Sequence, residues 1–147
     1  MEETQEKKKP RKKASHKKKD NLFYGTGRRK RAIARVHLVP GDGARIVNGK
    51  ELKEYFCGRE ILLKLVEVPF NAVSAPAFNL KAEVYGGGVP SQADAIRMGV
   101  ARALVDFNPD FRKILRSLDL LKRDPREKER KKAGLKRARK AFQFTKR

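Results

Sequence analysis

An α+β fold, a small mostly antiparallel or mixed sheet with helices packed on one face, is predicted by two periodicities in the middle of the chain. Apolar residues alternate at Ala32, Ala34, Val36 and Leu38, and again at Phe78, Leu80, Ala82 and Val84. From Ile96 to Phe107 they recur instead at helical spacing, through Val100, Ala103 and Leu104. A third observation bounds that body: the charge excess is concentrated outside it. The 147 residues carry 38 Lys and Arg against 17 Asp and Glu, a formal charge of +21. Residues 122–147 hold +10 of it and residues 1–21 hold +5, which leaves only +6 for the hundred residues between. The chain therefore reads as a basic flexible N-terminal extension (1–21), a globular domain (22–121) and an extended basic C-terminal tail (122–147).

The elements follow in order. Leu22 to Gly27 is an edge-strand candidate, and Ala32 to Val39 is a strand with Ile33, Arg35, His37 and Val39 on its second face. Pro40-Gly41-Asp42-Gly43 supplies turn residues, and Ala44 to Asn48 returns as a strand, so the pair reads as a β-hairpin. Glu51 to Phe56 is a short helix. Arg59 to Val68 is a second, with Leu62, Leu65 and Val66 at helical spacing and Pro69 ending it. Phe78 to Tyr85 is a strand ended by Gly86-Gly87-Gly88. Ser91 and Asp94 have capping-box spacing at the start of the longest helix. Asn108 and Pro109 open the last one, with Phe111, Ile114, Leu115 and Leu118 facing inward. Past Leu121 the apolar periodicity stops.

Composition excludes several classes. A single cysteine, Cys57, forbids an intrachain disulfide and suits a reducing cytoplasm; it reads as a partly buried small hydrophobe. With only His16 and His37 besides, no clustered metal-ligand spacing is present. No apolar run approaches the length of a membrane span, and residues 1–20 lack the apolar centre of a signal peptide. No cofactor, metal or catalytic constellation is expected: the acids read as helix caps and surface pairs, and neither histidine has an evident acid partner.

What remains points to a polyanionic partner, because self-repulsion at +21 is relieved by neutralisation. Gly25-Thr26-Gly27 precedes four cations, Arg28, Arg29, Lys30 and Arg31, and glycine lets a backbone approach phosphate closely. Gly86, Gly87 and Gly88 run from a strand into a helix N-terminus, where amides and the helix dipole suit an anion. Neither stretch has a nucleotide-loop signature. Arg97 and Arg102 have two readings, facing RNA or pairing with Asp94 and Asp106 at helical spacing. In the tail, Lys136, Arg137, Arg139 and Lys140 are followed by Phe142 and Phe144, the mixture of cations and aromatics that meets phosphates and stacks on unpaired bases. A histone-like nucleic-acid chaperone shares the charge but predicts generic duplex binding.

Tyr24-Gly25-Thr26-Gly27-Arg28-Arg29-Lys30, Val47-Asn48-Gly49-Lys50, Gly86-Gly87-Gly88 before Ser91-Gln92-Ala93, and the terminal Thr145-Lys146-Arg147 together resemble the family of bacterial-type small-subunit ribosomal protein nine, over residues 22–147. The resemblance implies a body that binds small-subunit rRNA in the subunit head, among neighbouring head proteins. It also implies a tail that threads through rRNA toward the anticodon stem-loop of the peptidyl-site tRNA. Carried onto this chain, Lys136 to Lys140 become an rRNA-held shaft, and Lys146 and Arg147 the tip that meets tRNA. Where the family usually has Pro-Gln-Tyr/Phe-Ser near its end, this chain has Phe142-Gln143-Phe144-Thr145, and residues 1–20 have no clear counterpart.

Overall fold

Gly25 and Gly27 place a strand so close to a helix that no side chain fits between them. A Cβ on Gly25 would lie 2.1 Å from the Gly99 carbonyl oxygen, and one on Gly27 would lie 1.8 Å from that of Ala95. The computed structural model, which describes residues 22–75 and 77–145, is built around this contact. The extension over residues 1–21 and the tip residues Lys146 and Arg147 lie outside the described residues.

Strand β1 (Phe23–Arg29) pairs antiparallel with β2 (Ala32–Pro40) across a turn in which Lys30 has φ 49°. The chain continues through β3 (Arg45–Val47), β4 (Lys50–Glu51), α1 (Leu52–Tyr55), α2 (Glu60–Ala72), β5 (Phe78–Tyr85), α3 (Val89–Phe107) and α4 (Phe111–Ser117). The sheet order is β1-β2-β5-β3-β4, antiparallel except where β3 runs parallel to β5. This is the α+β mixed sheet expected, with α3 laid on β1 and β2 and α2 packed beside α3. Its apolar face is the predicted one. Ala32, Ala34, Val36, Leu38, Phe78, Leu80, Ala82 and Val84 are buried, together with Ile96, Val100, Ala103 and Leu104 of α3.

The expected hairpin between the second and third strands does not form, because β5 lies between them. Asn79 of β5 explains the exchange: its Oδ1 accepts the amides of Gly43 and Ala44, both at 2.9 Å, so the Pro-Gly turn closes onto β5. Leu80 then donates its amide to Ala44 O (2.7 Å). A three-residue β3 offers little ladder of its own, whereas β5 pairs over eight residues with β2.

Pro69 does not end its helix; α2 continues through it to Ala72. Pro69 and Phe70 are both buried. Burying apolar side chains of this size contributes about 1.5–3 kcal/mol each, enough to offset an interior proline's penalty of about 3 kcal/mol. The capping box is also absent. Gly88 is the N-cap of α3 with no side-chain cap bond, and Pro90, whose fixed φ suits a first turn, starts the helix ahead of Ser91. Asp94 is turned instead toward Arg97 (3.2 Å) and Arg29 (3.6 Å).

Asn108 Oδ1 accepts the Asp110 amide (3.0 Å), so it caps the turn that leads into α4. That helix is only two turns long and a single row reaches the core: Leu115 is buried, Phe111 is partly buried, and Ile114 and Leu118 are exposed. Cys57 is exposed rather than partly buried, because the core position beside it belongs to Phe56 and the chain reverses at Cys57-Gly58 with both φ values positive.

Candidate nucleic-acid interface

Strand alternation separates the four cations that stand together in sequence. Arg28 points to the open face of the sheet, paired across from Ile33, and is exposed. Arg29 points to the helix side, where its guanidinium meets Asp94 of α3 at 3.6 Å and Asp124 at 2.9 Å. It also donates from Nη1 to the Arg126 carbonyl oxygen (2.9 Å). Lys30 and Arg31 occupy the β1–β2 turn and are exposed. Gly25 and Gly27, read from sequence as letting phosphate come close, instead let α3 come close.

The glycine triplet folds over that same turn. Gly86 and Gly87 have φ values of 71° and 66°; a Cβ on Gly86 would lie 2.5 Å from Arg31 O, and one on Gly87 2.8 Å from Ala32 N. Side chains far apart in sequence hold the triplet there. Asn48 pairs with both backbone groups of Val84 at 2.8 Å, Tyr55 Oη donates to Gln92 Oε1 (3.0 Å), and Gln92 Nε2 donates to Gly86 O (3.2 Å). The Val-Asn-Gly-Lys, triple-glycine and Ser-Gln-Ala motifs therefore form one connected structure. Between turn and triplet lies a cavity of about 330 Å3 lined by Lys30, Arg31, Gly87, Gly88 and Ser91. Three cations, Lys30, Arg31 and Lys128 of the tail, and the positive end of α3 favour an anion there. Glu127 and Glu129 of the tail border the same cavity.

No helix or strand follows Ser117 among the described residues. Leu120 is buried, and the tail starts at the Arg29 clamp. Bidentate hydrogen bonding from Arg126, then the Arg126 amide, and the charge of Arg29 hold the Asp124 carboxyl down to about 2. Farther out, Arg139 forks onto Glu129 (2.5 and 2.9 Å), holding that carboxyl below its usual range, and the amides of Lys136 and Arg137 close a turn on Lys140 O. Lys136, Arg137, Lys140 and Phe142 are exposed, and Phe144 is 97% exposed.

Of the two readings for the α3 arginines, pairing prevails at Arg97, with Asp94, whereas Arg102 donates to Thr26 O (2.7 Å) and so ties α3 to β1. Sequence reasoning missed Asp94 and Asp124 as the acids that seat the tail. The signal available was an isolated Asp124-Pro125 inside a cationic run.

Among the described residues there is no cluster of three His, Cys, Asp or Glu side chains suited to a metal ion, and no helix is long and apolar enough to cross a membrane. The family model described as ribosomal protein S9/S16 matches residues 27–147. The small ribosomal subunit protein uS9 of Gloeobacter violaceus is 50% identical over 127 residues, which cover 86% of this chain and 96% of that protein. With a family model and a relative that each match most of its length, the chain belongs to the ribosomal protein S9/S16 family.

Proposed function

We propose that the chain is a structural constituent of the small ribosomal subunit, not an enzyme, and works on the cytoplasmic ribosome by holding rRNA in the subunit head among neighbouring head proteins. The observation that carries the RNA-binding reading is the meeting of Lys30, Arg31, Gly87, Gly88 and Lys128 in one cavity at the root of a tail with ten net positive charges, which outweigh Glu127 and Glu129 on its rim. Arg28, Lys30 and Arg31 contact phosphates, as do Lys136, Arg137, Arg139 and Lys140, while Phe142 and Phe144 stack on unpaired bases. Arg29 has a different part: it anchors the tail to the body, so that the shaft leaves from a fixed point.

The tip, Lys146 and Arg147, reaches the anticodon arm of peptidyl-site tRNA, with the planar Arg147 fork suited to two phosphate oxygens. This part rests on the family resemblance. Ribosomes carrying the chain truncated after Thr145 test it. Subunits are expected to assemble normally, with weaker peptidyl-site tRNA binding or poorer frame maintenance. Unchanged tRNA affinity, initiation and frame maintenance would remove the tip's role. Retention of the full chain on small subunits through high-salt gradients tests the wider reading.

A further inference from the structure

Among the described residues, all the helices that cover the sheet lie on one side of β1, β2 and β5, and the opposite face is open. Strand register places its side chains in rows: Arg28, Ile33 and Tyr85; then Thr26, Arg35 and Glu83; then Tyr24, His37, Lys81 and Ile46. The two tyrosines are half exposed, at 45% and 50%, and Arg28, Arg35 and Lys81 are exposed. Tyr24 lies against His37 with ring centroids 5.1 Å apart, and the Arg35 guanidinium stands 6.0 Å from the Tyr85 ring centre. Each tyrosine thus has a cross-strand neighbour and keeps about half of its surface free to meet a partner.

We propose that this open face is a second RNA-docking surface, which takes an unpaired or irregular segment of RNA. Tyr24 and Tyr85 stack on bases while Arg28, Arg35 and Lys81 meet phosphates. The inference rests on the proposed RNA-binding function but extends it, past Arg28 at the edge of the turn, onto a face that the glycine triplet and the tail do not include. Geometry favours it: the tyrosines are offset by four residues of β2, about 13 Å along the strand direction, room for more than one nucleotide between them. A sheet face carrying separated aromatics is an established way to splay and stack single-stranded bases. Charge favours RNA over a protein neighbour as well. Three cations face Glu83, with Glu51 only at the β4 edge, on a chain that is already strongly basic.

The test uses the full chain assembled into small subunits. A photoreactive phenylalanine analogue placed at position 85 is expected to cross-link to rRNA; a cross-link to another protein would overturn the proposal. In parallel, Tyr24→Ser with Tyr85→Ser should weaken binding to small-subunit rRNA by roughly tenfold or more, while Tyr24→Phe with Tyr85→Phe keeps it. Thermal melting checks that the variants fold, and the cross-link decides if the serine pair does not. Sheet-face variants that bind like the unaltered chain, alongside a tail-deleted chain that binds weakly, would refute this surface and leave the proposed function standing. Failure of the unaltered chain to bind small-subunit rRNA would remove both.

Discussion

Arg29 Nη2 lies 2.9 Å from Asp124 Oδ2, a bond between the first strand and the first stretch of the tail across 95 positions of sequence. Arg29 is oriented by Asp94 on one side and accepted by the Arg126 carbonyl on the other, so three points of the chain converge on one guanidinium. The core does not depend on it. Arg29→Ala is therefore expected to leave the melting temperature within a few degrees while speeding protease cleavage at residues 122–126, which the clamp holds to the body. Unchanged protection of that stretch would show that the clamp does not hold the tail.

The same clamp has a pH signature. Asp124 titrates at about 2 in the folded chain against an ordinary 3.8, held down first by Arg126. A depressed carboxyl contributes its anchoring fully above its ordinary value and loses it as pH falls through the folded value. The Asp124 carboxylate's contacts, chiefly those with Arg126 two residues along the tail, should thus be intact above about pH 4 and be lost as pH falls toward 2. Carbon-detected NMR titration of the Asp124 carboxyl checks this, with Arg126→Ala expected to move the midpoint upward. A midpoint near 3.8 in the unaltered chain would contradict the arrangement.

Glycine positions divide into two energetic classes. At Gly27 an added Cβ meets the Ala95 carbonyl oxygen at 1.8 Å, and neither backbone can yield without separating β1 from α3. Gly27→Ala should destabilise by about 3 kcal/mol or more, as for overpacking that moves backbone. At Gly43 nothing lies within 4 Å, and only the φ of 92° resists a side chain. Gly43→Ala should cost about 1 kcal/mol. Urea unfolding of both variants distinguishes the classes, and equal losses would be inconsistent with the packing described.

Asn48 supplies an extra rung between β3 and β5 by bonding both the amide and the carbonyl of Val84. Asn48→Ala leaves those two groups unpartnered in a partly buried place and should cost about 2 kcal/mol. Hydrogen exchange at Val84 is the direct measurement. Protection equal to that of the unaltered chain would mean another group takes over the bonds.

Periodicity made the body legible because alternating Ala32 to Leu38 and Phe78 to Val84 leave one way to bury a face. Pairing partners were less legible: Pro40 to Gly43 marks a turn, but only Asn79, distant in sequence, decides which strand it closes onto. Pro69 and Ser91 mislead for different reasons: tertiary burial outweighs the stop signal at Pro69, and Pro90, itself a start signal, opens the helix ahead of Ser91. In the site, adjacency suggested that Arg28 to Arg31 act alike. A strand sends neighbours to opposite faces, so Arg29 went to the protein and Arg28 to solvent.

The tail cations are also unequal, in a way that binding measurements can separate. Arg139 is engaged by Glu129, whereas none of Lys136, Arg137 and Lys140 pairs with an acid among the described residues. For RNA to take Arg139 it must first break that fork and leave the Glu129 carboxylate near phosphate. Lys136→Gln should lower the slope of log binding constant against log salt by about 0.7 to 0.9, the release of roughly one counterion. Glu129→Gln should do the reverse and tighten binding, since it releases Arg139 and removes a repulsive charge. Fluorescence anisotropy with a small-subunit rRNA fragment at four salt concentrations checks both. Weaker binding by Glu129→Gln would mean that Glu129 shapes the tail for RNA rather than competing with it.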